Sequence, residues 1–390
     1  MKRTYILFSV LLFIGFFANA QFVQDVVNSI RIDSLERKVS ELSGEISSSI
    51  NGTIATITSR VQNNNDLAAE YIKDHFEALN NITINDQSFN AGAGIGRNIV
   101  ATQLGTVNPN NIYLICAHYD SVAAFCADDN ATGTSAVLEI ARILSQYETQ
   151  NTIVYALWDQ EEIGLRGSNF YAEEASADGD NIIGVVNMDM MGYQNQAIGD
   201  NNFDIDLNSA SNSEAIRDDF LSLRTIYTPT LSPIVVQPGT PFSDHKPFWD
   251  EGYGAVLVGE SWETNDQTPY YHSSNDKLAT LDLSYYHEMV KLVASYTATK
   301  ANIFKVLSTE GLLHKKFNIY PNPVASILNI ETTISETLDI EFYDINGKVI
   351  RRQSISKYGN QVNVSEFTKG IYFINIISSL GETTFKFVKK

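Results

Sequence analysis

The sequence predicts an α/β fold, in which helices sandwich a mostly parallel, mixed sheet, followed by a small C-terminal all-β sandwich. Two patterns lead to this expectation. Up to about residue 305, short apolar runs typical of buried strands alternate with stretches of helical periodicity. After about Gly311 the helical patterns stop, and short alternating strands follow one another. With 44% apolar residues in a chain of 390, there is enough material for a sizeable core.

The elements of the first part can be placed by the spacing of apolar residues. Residues 66–79 predict an amphipathic helix with Asp66 as its N-cap. Its apolar face would carry Leu67, Tyr71, Ile72, Phe76 and Leu79. Buried strands are predicted at residues 98–103, 112–117, 152–158, 182–188 and 255–259. Further helices are predicted at residues 134–146 and 285–304.

The C-terminal part predicts a separate β-sandwich of about 75 residues. Turn pairs such as Asn346-Gly347 and Lys369-Gly370 separate its strands. The strands are predicted at residues 327–330, 338–343, 348–353, 361–364, 371–376 and 383–388.

The first twenty residues have the pattern of a signal peptide. Lys2 and Arg3 are followed by an apolar run of about 13 residues, and Ala18-Asn19-Ala20 supplies a cleavage motif. The run is shorter than the roughly 20 residues that span a bilayer, so cleavage is favoured over a membrane anchor. We therefore expect export and no integral membrane segment.

The net charge of −19 is uneven, because residues 21–314 carry −24 and the part from Lys315 onward carries +3. So acidic a surface repels nucleic acid and anionic lipid, and neither is expected as a partner. Only two cysteines occur, Cys116 and Cys126. Export permits a disulfide between them, which is slightly favoured over two buried thiols.

Acidic and histidine side chains gather in places where the pattern predicts strand ends or loops. The candidates are His118 with Asp120, Asp128 with Asp129, Glu161 with Glu162, Asp189, and His272 with Asp276. Each has an ordinary explanation when taken alone, such as helix capping or a solvated face. Adjacent carboxylates near a core are costly, however, unless a cation or a proton lies between them. Together the candidates suit a pair of divalent ions bound by mixed nitrogen and oxygen ligands.

The spacing of His118 and Asp120 adds a detail to this interpretation. Residues two apart on an extended chain lie on one face. Asp120 is therefore placed to hold the second nitrogen of a metal-binding His118 imidazole.

In its motifs, the region from about residue 35 to 305 resembles the zinc exopeptidase family that includes bacterial leucyl aminopeptidases and glutaminyl cyclases. The motifs occur in the order of that family: HYDS (118–121), ADDNATGT (127–134), DQEEIGLRGS (159–168), NMDMMG (187–192) and HSSNDKL (272–278). The resemblance implies two Zn²⁺ per chain, one bound by His118, Asp129 and Asp189, and the other by Asp129, Glu162 and His272. It also implies that Glu161 is the general base and that Asp120 supports His118.

One segment departs from the best-known members of the family, some of which have a tyrosine shortly before a Ser-Asp-His sequence. Here Phe242 precedes Ser243-Asp244-His245, and no tyrosine stands nearby in the segment. The donor to a tetrahedral oxyanion is therefore left open. Asp244 and His245 could line the site, although helix capping by Ser243 is favoured.

The tail resembles the sorting domain that the type IX secretion machinery recognises. The resemblance is carried by FNIYPNP (317–323), YDING (343–347), KGIYF (369–373) and FKFVKK (385–390). A carbohydrate-binding sandwich is the alternative, but no Trp occurs after Trp262 to stack on sugars. The residue patterns and the two resemblances together divide the chain into a signal peptide (1–20), a lead-in segment (21–34), a zinc peptidase domain (35–305), a linker (306–316) and a secretion sorting domain (317–390).

The function implied is a secreted aminopeptidase, acting on the N-termini of peptides or proteins by metal-assisted hydrolysis and exported with the type IX machinery as partner. A glutaminyl cyclase with a single zinc on the same scaffold is the first alternative. A non-catalytic surface-binding protein is the second, although such a protein would have no need of Glu161. The ligands alone do not separate an aminopeptidase from a carboxypeptidase.

Overall fold

The computed structural model of the protein describes residues 20–195, 199–209, 212–305, 316–332, 334, 337–356, 360–378 and 381–390. The chain divides into two compact units, with the boundary between Phe304 and Lys305. Residues 1–19 of the predicted signal peptide and residues 306–315 of the predicted linker lie outside the described part. Among the described residues, no helix combines the length and the apolar character needed to cross a bilayer.

The first unit contains eight helices among its described residues. They are α1 (20–29), α2 (Ile32–Leu42), α3 (Asp66–Glu77), α4 (Gly133–Leu144), α5 (Arg166–Asp178), α6 (Ser213–Tyr227), α7 (Lys246–Asp250) and α8 (Leu283–Ala301), with a π-helical turn at Ala127–Thr132 and a 3₁₀ turn at Leu278–Thr280. Its strands are β1 (Ser48–Ile50), β2 (Thr53–Ala55), β3 (Thr83–Asn90), β4 (Ile95–Gln103), β5 (Asn108–His118), β6 (Glu148–Thr149), β7 (Asn151–Trp158), β8 (Ile182–Met188), β9 (Asn202–Leu207), β10 (Ser232–Val236), β11 (Ala255–Glu260) and β12 (Ile303–Phe304).

An eight-stranded mixed sheet lies at the centre of this unit, in the order β10-β9-β11-β8-β5-β7-β4-β3. The middle strands β11, β8, β5 and β7 run parallel to their neighbours in that group. Strands β4 and β9 join them in antiparallel orientation. Because the four middle strands share one direction, their carboxyl ends meet at one edge of the sheet, where open α/β sheets bind ligands.

Alternate residues of the buried strands enter two apolar clusters, one on each face of the sheet. Tyr155 and Leu157 of β7 enter the larger cluster, which also contains residues of α2, α3, α4, α6 and α8. Trp158 enters the smaller one with Ala172 of α5 and Phe248 of α7. Strands buried on both faces read as continuous apolar runs, which is why the sequence revealed them. The predicted α/β fold is confirmed.

The segment following the predicted signal peptide contributes to this core. Residues 20–29 are helical, and Val23, Val26 and Ile30 are buried in the larger cluster. The His287 Nε2 atom of α8 lies 2.9 Å from the Ile30 carbonyl oxygen. The segment is thus packed against the first unit.

The helix predicted at residues 66–79 begins where expected, but the N-cap assignment was wrong. Asp66 is the first helical residue, and Asn65 occupies the cap position without a capping hydrogen bond. Instead, the Asn65 amide donates to Asp159 Oδ1 at 2.6 Å. Several elements whose faces are partly polar were not predicted, namely β3, β9, β10, α5 and α6.

The favoured disulfide is absent, and both cysteines are buried as free thiols. Cys116 lies in the smaller apolar cluster together with Trp158 and Ala156. Cys126 instead precedes the π-helical turn, where its carbonyl oxygen accepts a hydrogen bond from buried Arg60 at 2.5 Å. The expectation failed because Cys116 points into the core of the sheet and Cys126 belongs to a loop at its edge.

The second unit consists of antiparallel sheets, as predicted. The strands are β13 (Phe317–Tyr320), β14 (Ile327–Thr332), β15 (Leu338–Tyr343), β16 (Val349–Ile355), β17 (Gln361–Asn363), β18 (Gly370–Ser378) and β19 (Gly381–Lys389). They form one sheet in the order β13-β14-β17 and another in the order β16-β15-β18-β19. Gly347, at φ 77°, closes the hairpin between β15 and β16. Strand β13 was not predicted.

Candidate metal centre

Three of the parallel strands deliver candidate ligands to the same edge of the sheet. Strand β5 ends at His118, and Asp189 follows directly after β8. Glu161 and Glu162 lie in the loop after β7. Residues next to these side chains adopt left-handed backbone angles, with φ 62° at Gln160 and 54° at Met190. Such angles cost energy for non-glycine residues and cluster at functional sites.

Asp129 reaches the same place from the π-helical turn between β5 and α4. Its backbone N–H donates to Asp276 Oδ2 at 3.0 Å, and the N–H of Asp128 donates to the same carboxylate at 2.8 Å. Gly133 allows the turn to pack close, since a Cβ there would lie 2.5 Å from the Met188 carbonyl oxygen. Asp276 thus holds the turn that presents Asp129.

The two oxygens of Asp129 face two different imidazoles. Asp129 Oδ1 lies 3.4 Å from His118 Nε2, and Asp129 Oδ2 lies 3.4 Å from His272 Nε2. His118 Nε2 is also 3.3 Å from Asp189 Oδ1, and His272 Nε2 is 3.2 Å from Glu162 Oε2. The carboxylate therefore lies between two sets of candidate ligands.

The candidate ligand atoms lie close enough to one another for several of them to bind the same ion. His118, Asp129 and Glu162 each offer a ligand atom within 4.8 Å of the others, and so do His118, Glu161 and Asp189. In the second group, Glu161 lies as close to His118 and Asp189 as candidate ligands lie to one another, although the resemblance implies that Glu161 is a base.

The carboxylates lack the partners that buried acids need. Asp129 Oδ2 and Glu162 Oε1 are buried and accept no hydrogen bond. Within the described part of the chain, no Lys or Arg forms an ion pair with Asp129, Glu161, Glu162 or Asp189. Divalent cations would supply the missing positive charge, and mixed imidazole and carboxylate donors suit zinc. The residues present fit such a group.

The pKa values of the two glutamates also indicate a site for cations. Burial, followed by the nearby Asp129 carboxylate, raises the pKa of Glu162 to about 9. Burial likewise raises the pKa of Glu161 well above its usual range. A cation between these groups would lower both pKa values, because it favours the charged form.

Asp120 contacts both the imidazole and the loop after β7. Its Oδ1 lies 3.5 Å from His118 Nδ1, while the hydrogen bond to that nitrogen, at 3.3 Å, involves the Asp120 backbone carbonyl. Its carboxylate also accepts hydrogen bonds from the backbone N–H groups of Glu161 and Glu162, at 3.1 and 3.3 Å. These last contacts could not be inferred from the spacing of the residues along the chain.

The Ser243-Asp244-His245 segment behaves differently from the expectation. His245, not Ser243, is the cap residue of α7, and no side chain caps that helix. Ser243 Oγ donates to Asp189 Oδ2 at 2.6 Å and accepts from the Asn187 amide at 2.7 Å. Helix capping by Ser243 was therefore a wrong prediction, because its hydroxyl donates a hydrogen bond to the candidate ligand Asp189 and does not cap the helix.

A cavity of about 590 Å³ opens beside these side chains. It extends from the candidate ligands across β11 toward β9 and the segment before α7. Phe242 and Trp262 line it and are 83% and 47% exposed, which places aromatic rings at its mouth. The arrangement can hold cations at one end of a cleft large enough for an amino-acid side chain.

Comparison with known proteins matches each unit to a family. Residues 98–297, just over half of the chain, match the family described as Peptidase family M28. Residues 318–390 match the Secretion system C-terminal sorting domain.

Individual relatives are more distant. A probable zinc metalloprotease of Pyrenophora tritici-repentis is 26% identical over 187 residues, which are 43% of this chain and 38% of that protein. Aminopeptidase YwaD of Bacillus subtilis is 31% identical over 207 residues, which are 50% of this chain and 42% of that protein. The chain thus spans about two fifths of the length of these curated relatives.

Solved structures share the fold. The LapA aminopeptidase of Legionella pneumophila aligns with a TM-score of 0.61 at 19% identity, covering 73% of this chain and 75% of that one. The glutaminyl cyclase of Porphyromonas gingivalis aligns with a TM-score of 0.54 at 16% identity, covering 70% and 99%.

Proposed function

The chain belongs to peptidase family M28, and from this membership we propose that it is a zinc-dependent aminopeptidase that removes residues from the N-termini of peptides. The observation that carries the proposal is the position of Asp129 between His118 and His272. Its Oδ1 lies 3.4 Å from the His118 imidazole, and its Oδ2 lies 3.4 Å from the His272 imidazole. A single carboxylate so placed can serve two cations.

Two ions per chain are proposed. His118, Asp129 and Asp189 would hold one, and Asp129, Glu162 and His272 the other. Zinc bound there would supply Lewis acidity, which lowers the pKa of water and polarises a carbonyl group. The probable zinc metalloprotease among the relatives supports the choice of metal.

Glu161 is proposed as the general base. It lines the cavity beside the candidate ligands, and its backbone is held by Asp120. It takes a proton from the attacking water and delivers it to the departing amine. Asp120 keeps the imidazole of His118 and the Glu161 loop in register, so it acts as a positioning residue.

A second candidate function is glutaminyl cyclisation, which the likeness in fold to the Porphyromonas gingivalis enzyme favours. That reaction needs one metal ion. In this chain, however, His118 Nε2 lies 3.3 Å from Asp189 Oδ1, and these two residues complete a second set of ligands with Asp129. Metal content separates the two proposals, since two ions per chain support hydrolysis.

Export is proposed from both ends of the chain. The C-terminal unit matches the sorting domain of a secretion system, which indicates delivery to the cell surface or the medium. We propose that the type IX machinery is the partner and that residues 1–20 are cleaved as a signal peptide.

The proposed function is tested by hydrolysis of a panel of aminoacyl chromogenic amides, with and without chelator. We expect release of the chromophore, loss of activity on chelation and recovery with Zn²⁺. N-acetylated substrates should remain intact. Activity that survives complete removal of the metal would contradict the proposal. So would formation of N-terminal pyroglutamate from N-terminal glutamine, with release of ammonia, as the main reaction.

A further inference from the structure

The cavity continues past the candidate ligands to acidic side chains on β9. Asp206 lines it and is only 6% exposed. In the sheet, Asp206 lies opposite Leu257 of β11, and Leu257 lies opposite Asn187 of β8, two residues before Asp189. With neighbouring strands about 4.8 Å apart, Asp206 is roughly 10 Å across the sheet from β8.

The Asp206 carboxylate has no positive partner. It accepts one hydrogen bond, from the backbone N–H of Thr240 at 2.8 Å. The charged groups that act on it, Asp204 and Glu263, are also acidic. No Lys or Arg in the described ranges forms an ion pair with it. Burial raises its pKa to about 6, so the group is still ionised at neutral pH.

The neighbouring Asp204 differs, because its hydrogen bonds are taken by the protein. Ser261 Oγ donates to it at 2.6 Å, and the backbone N–H groups of Trp262 and Glu263 donate at 2.8 and 3.1 Å. Asp204 therefore holds the turn after β11.

Glu260 of β11 also lines the cavity and is buried, but both of its oxygens lie 3.0 Å from the Thr268 backbone N, which donates to them. Among the acids of β9, Asp206 is the one with a carboxylate oxygen left for a ligand.

The walls between the candidate ligands and Asp206 are apolar. Met190 and Leu257 line this part of the cavity, and Val236 of β10 lines it beside Asp206. An apolar passage that ends at a buried carboxylate suits an unbranched aliphatic stem with a terminal cation. Arginine and lysine have that shape and charge.

We propose that Asp206 selects substrates whose N-terminal residue is arginine or lysine. The inference rests on the proposed aminopeptidase function and adds the substrate class. A salt bridge formed between the substrate cation and Asp206 in this sheltered place replaces the missing partner of the carboxylate.

The test compares kcat/KM for chromogenic amides of arginine, lysine, leucine and citrulline. Citrulline has nearly the shape of arginine without the charge. A charge-assisted hydrogen bond predicts that kcat/KM for the arginine amide exceeds kcat/KM for the citrulline amide by about 10- to 100-fold. Asp206→Asn keeps an oxygen for the Thr240 N–H and should bring the ratio close to one. Asp218→Asn, an acid 66% exposed on α6, should leave the ratio unchanged.

The ratio is measured within one sample, so it does not depend on the fraction of folded enzyme. If the leucine and citrulline amides are cleaved as fast as the arginine amide, the inference is wrong and the proposed function stands. If Asp206→Asn retains the ratio, the assignment to Asp206 is overturned. If the zinc-loaded protein cleaves none of the amides, the proposed function itself fails.

Discussion

The Asp120 carboxylate accepts a hydrogen bond from the backbone N–H of Glu161 at 3.1 Å. The same carboxylate lies 3.5 Å from His118 Nδ1. Asp120 is 1% exposed, so little water competes for either contact. One buried acid therefore fixes both a candidate ligand on β5 and the loop that carries the proposed base, and a change at Asp120 should disturb both.

We expect Asp120→Asn to weaken zinc binding and turnover together. The amide keeps the shape of the side chain and one oxygen. Its NH₂ group replaces the other oxygen and cannot accept a hydrogen bond, so the bond from the N–H of either Glu161 or Glu162 is lost. Loss of such a supporting group costs about 10- to 100-fold in metal affinity or activity. Competition with a chelator gives the affinity, and chromogenic amides give the turnover. A variant with unchanged affinity and turnover would contradict the positioning role.

Glu161 and Glu162 are neighbours in sequence, but their substitution should have different effects. Glu161→Gln should keep the zinc content and the fold, because the residue is proposed as a base and not as a ligand. Its rate should fall by about 10²- to 10⁴-fold, the usual effect of losing a general base. Glu162→Gln should lose zinc first, since a neutral amide oxygen is a poorer ligand than a carboxylate.

The measurement is metal content per chain beside turnover for both variants. Each variant serves as the control for the other, because both remove one negative charge from the same loop. If Glu161→Gln loses a zinc ion while Glu162→Gln keeps both, the two roles are reversed.

The sequence located His118, the Glu161–Glu162 pair and Asp189 because they end or follow apolar strands. Asp129 and His272 lie in a turn and a loop, and the family motifs identified them. It could not show that Ser243 donates to Asp189, since 54 residues separate them. The same holds for Asp276, whose carboxylate holds the Asp129 turn from 147 residues away. Strand β9 was not predicted because its acids interrupt the continuous apolar run that marks the other buried strands of this unit. Its buried Asp206 lines the cavity. Contacts of this kind depend on tertiary packing, which spacing along the chain does not contain.

Removal of residues 315–390 should leave hydrolysis intact and stop release from the cell. The C-terminal unit has its own apolar core, which includes Leu328, Phe342 and Phe387. The candidate ligands all lie in the first unit. Activity in the cell lysate and in the medium should be compared for the full chain and the truncated chain. A soluble, folded truncation without activity would show that the C-terminal unit contributes to the site.

Glu139 should make the stability of the first unit sensitive to acid. Its buried carboxylate accepts hydrogen bonds from Arg142 of the same helix, and from Ser34 and Lys38 of α2. Burial alone would raise the pKa of Glu139, but the hydrogen bonds and charges of Arg142 and Lys38 outweigh it and lower the pKa from 4.5 to about 2. A lowered pKa means that the folded state prefers the ionised form. The stabilisation is therefore fully present above pH 4.5 and is lost as the pH falls toward 2.

The shift corresponds to roughly 3 kcal/mol of unfolding free energy at neutral pH. Glu139→Gln should remove most of it and leave Lys38, with a side chain 7% exposed, without its counter-charge. Urea unfolding of wild type and variant between pH 7 and pH 2.5 measures the difference between their unfolding free energies. The contributions of the acids that both proteins share cancel in this difference. The difference should shrink steadily below pH 4.5. Asp250→Asn, which breaks the exposed pair with Lys246, should change the unfolding free energy by less than about 0.5 kcal/mol. A difference between Glu139→Gln and wild type that stays constant with pH would show that Glu139 is not held ionised by these partners.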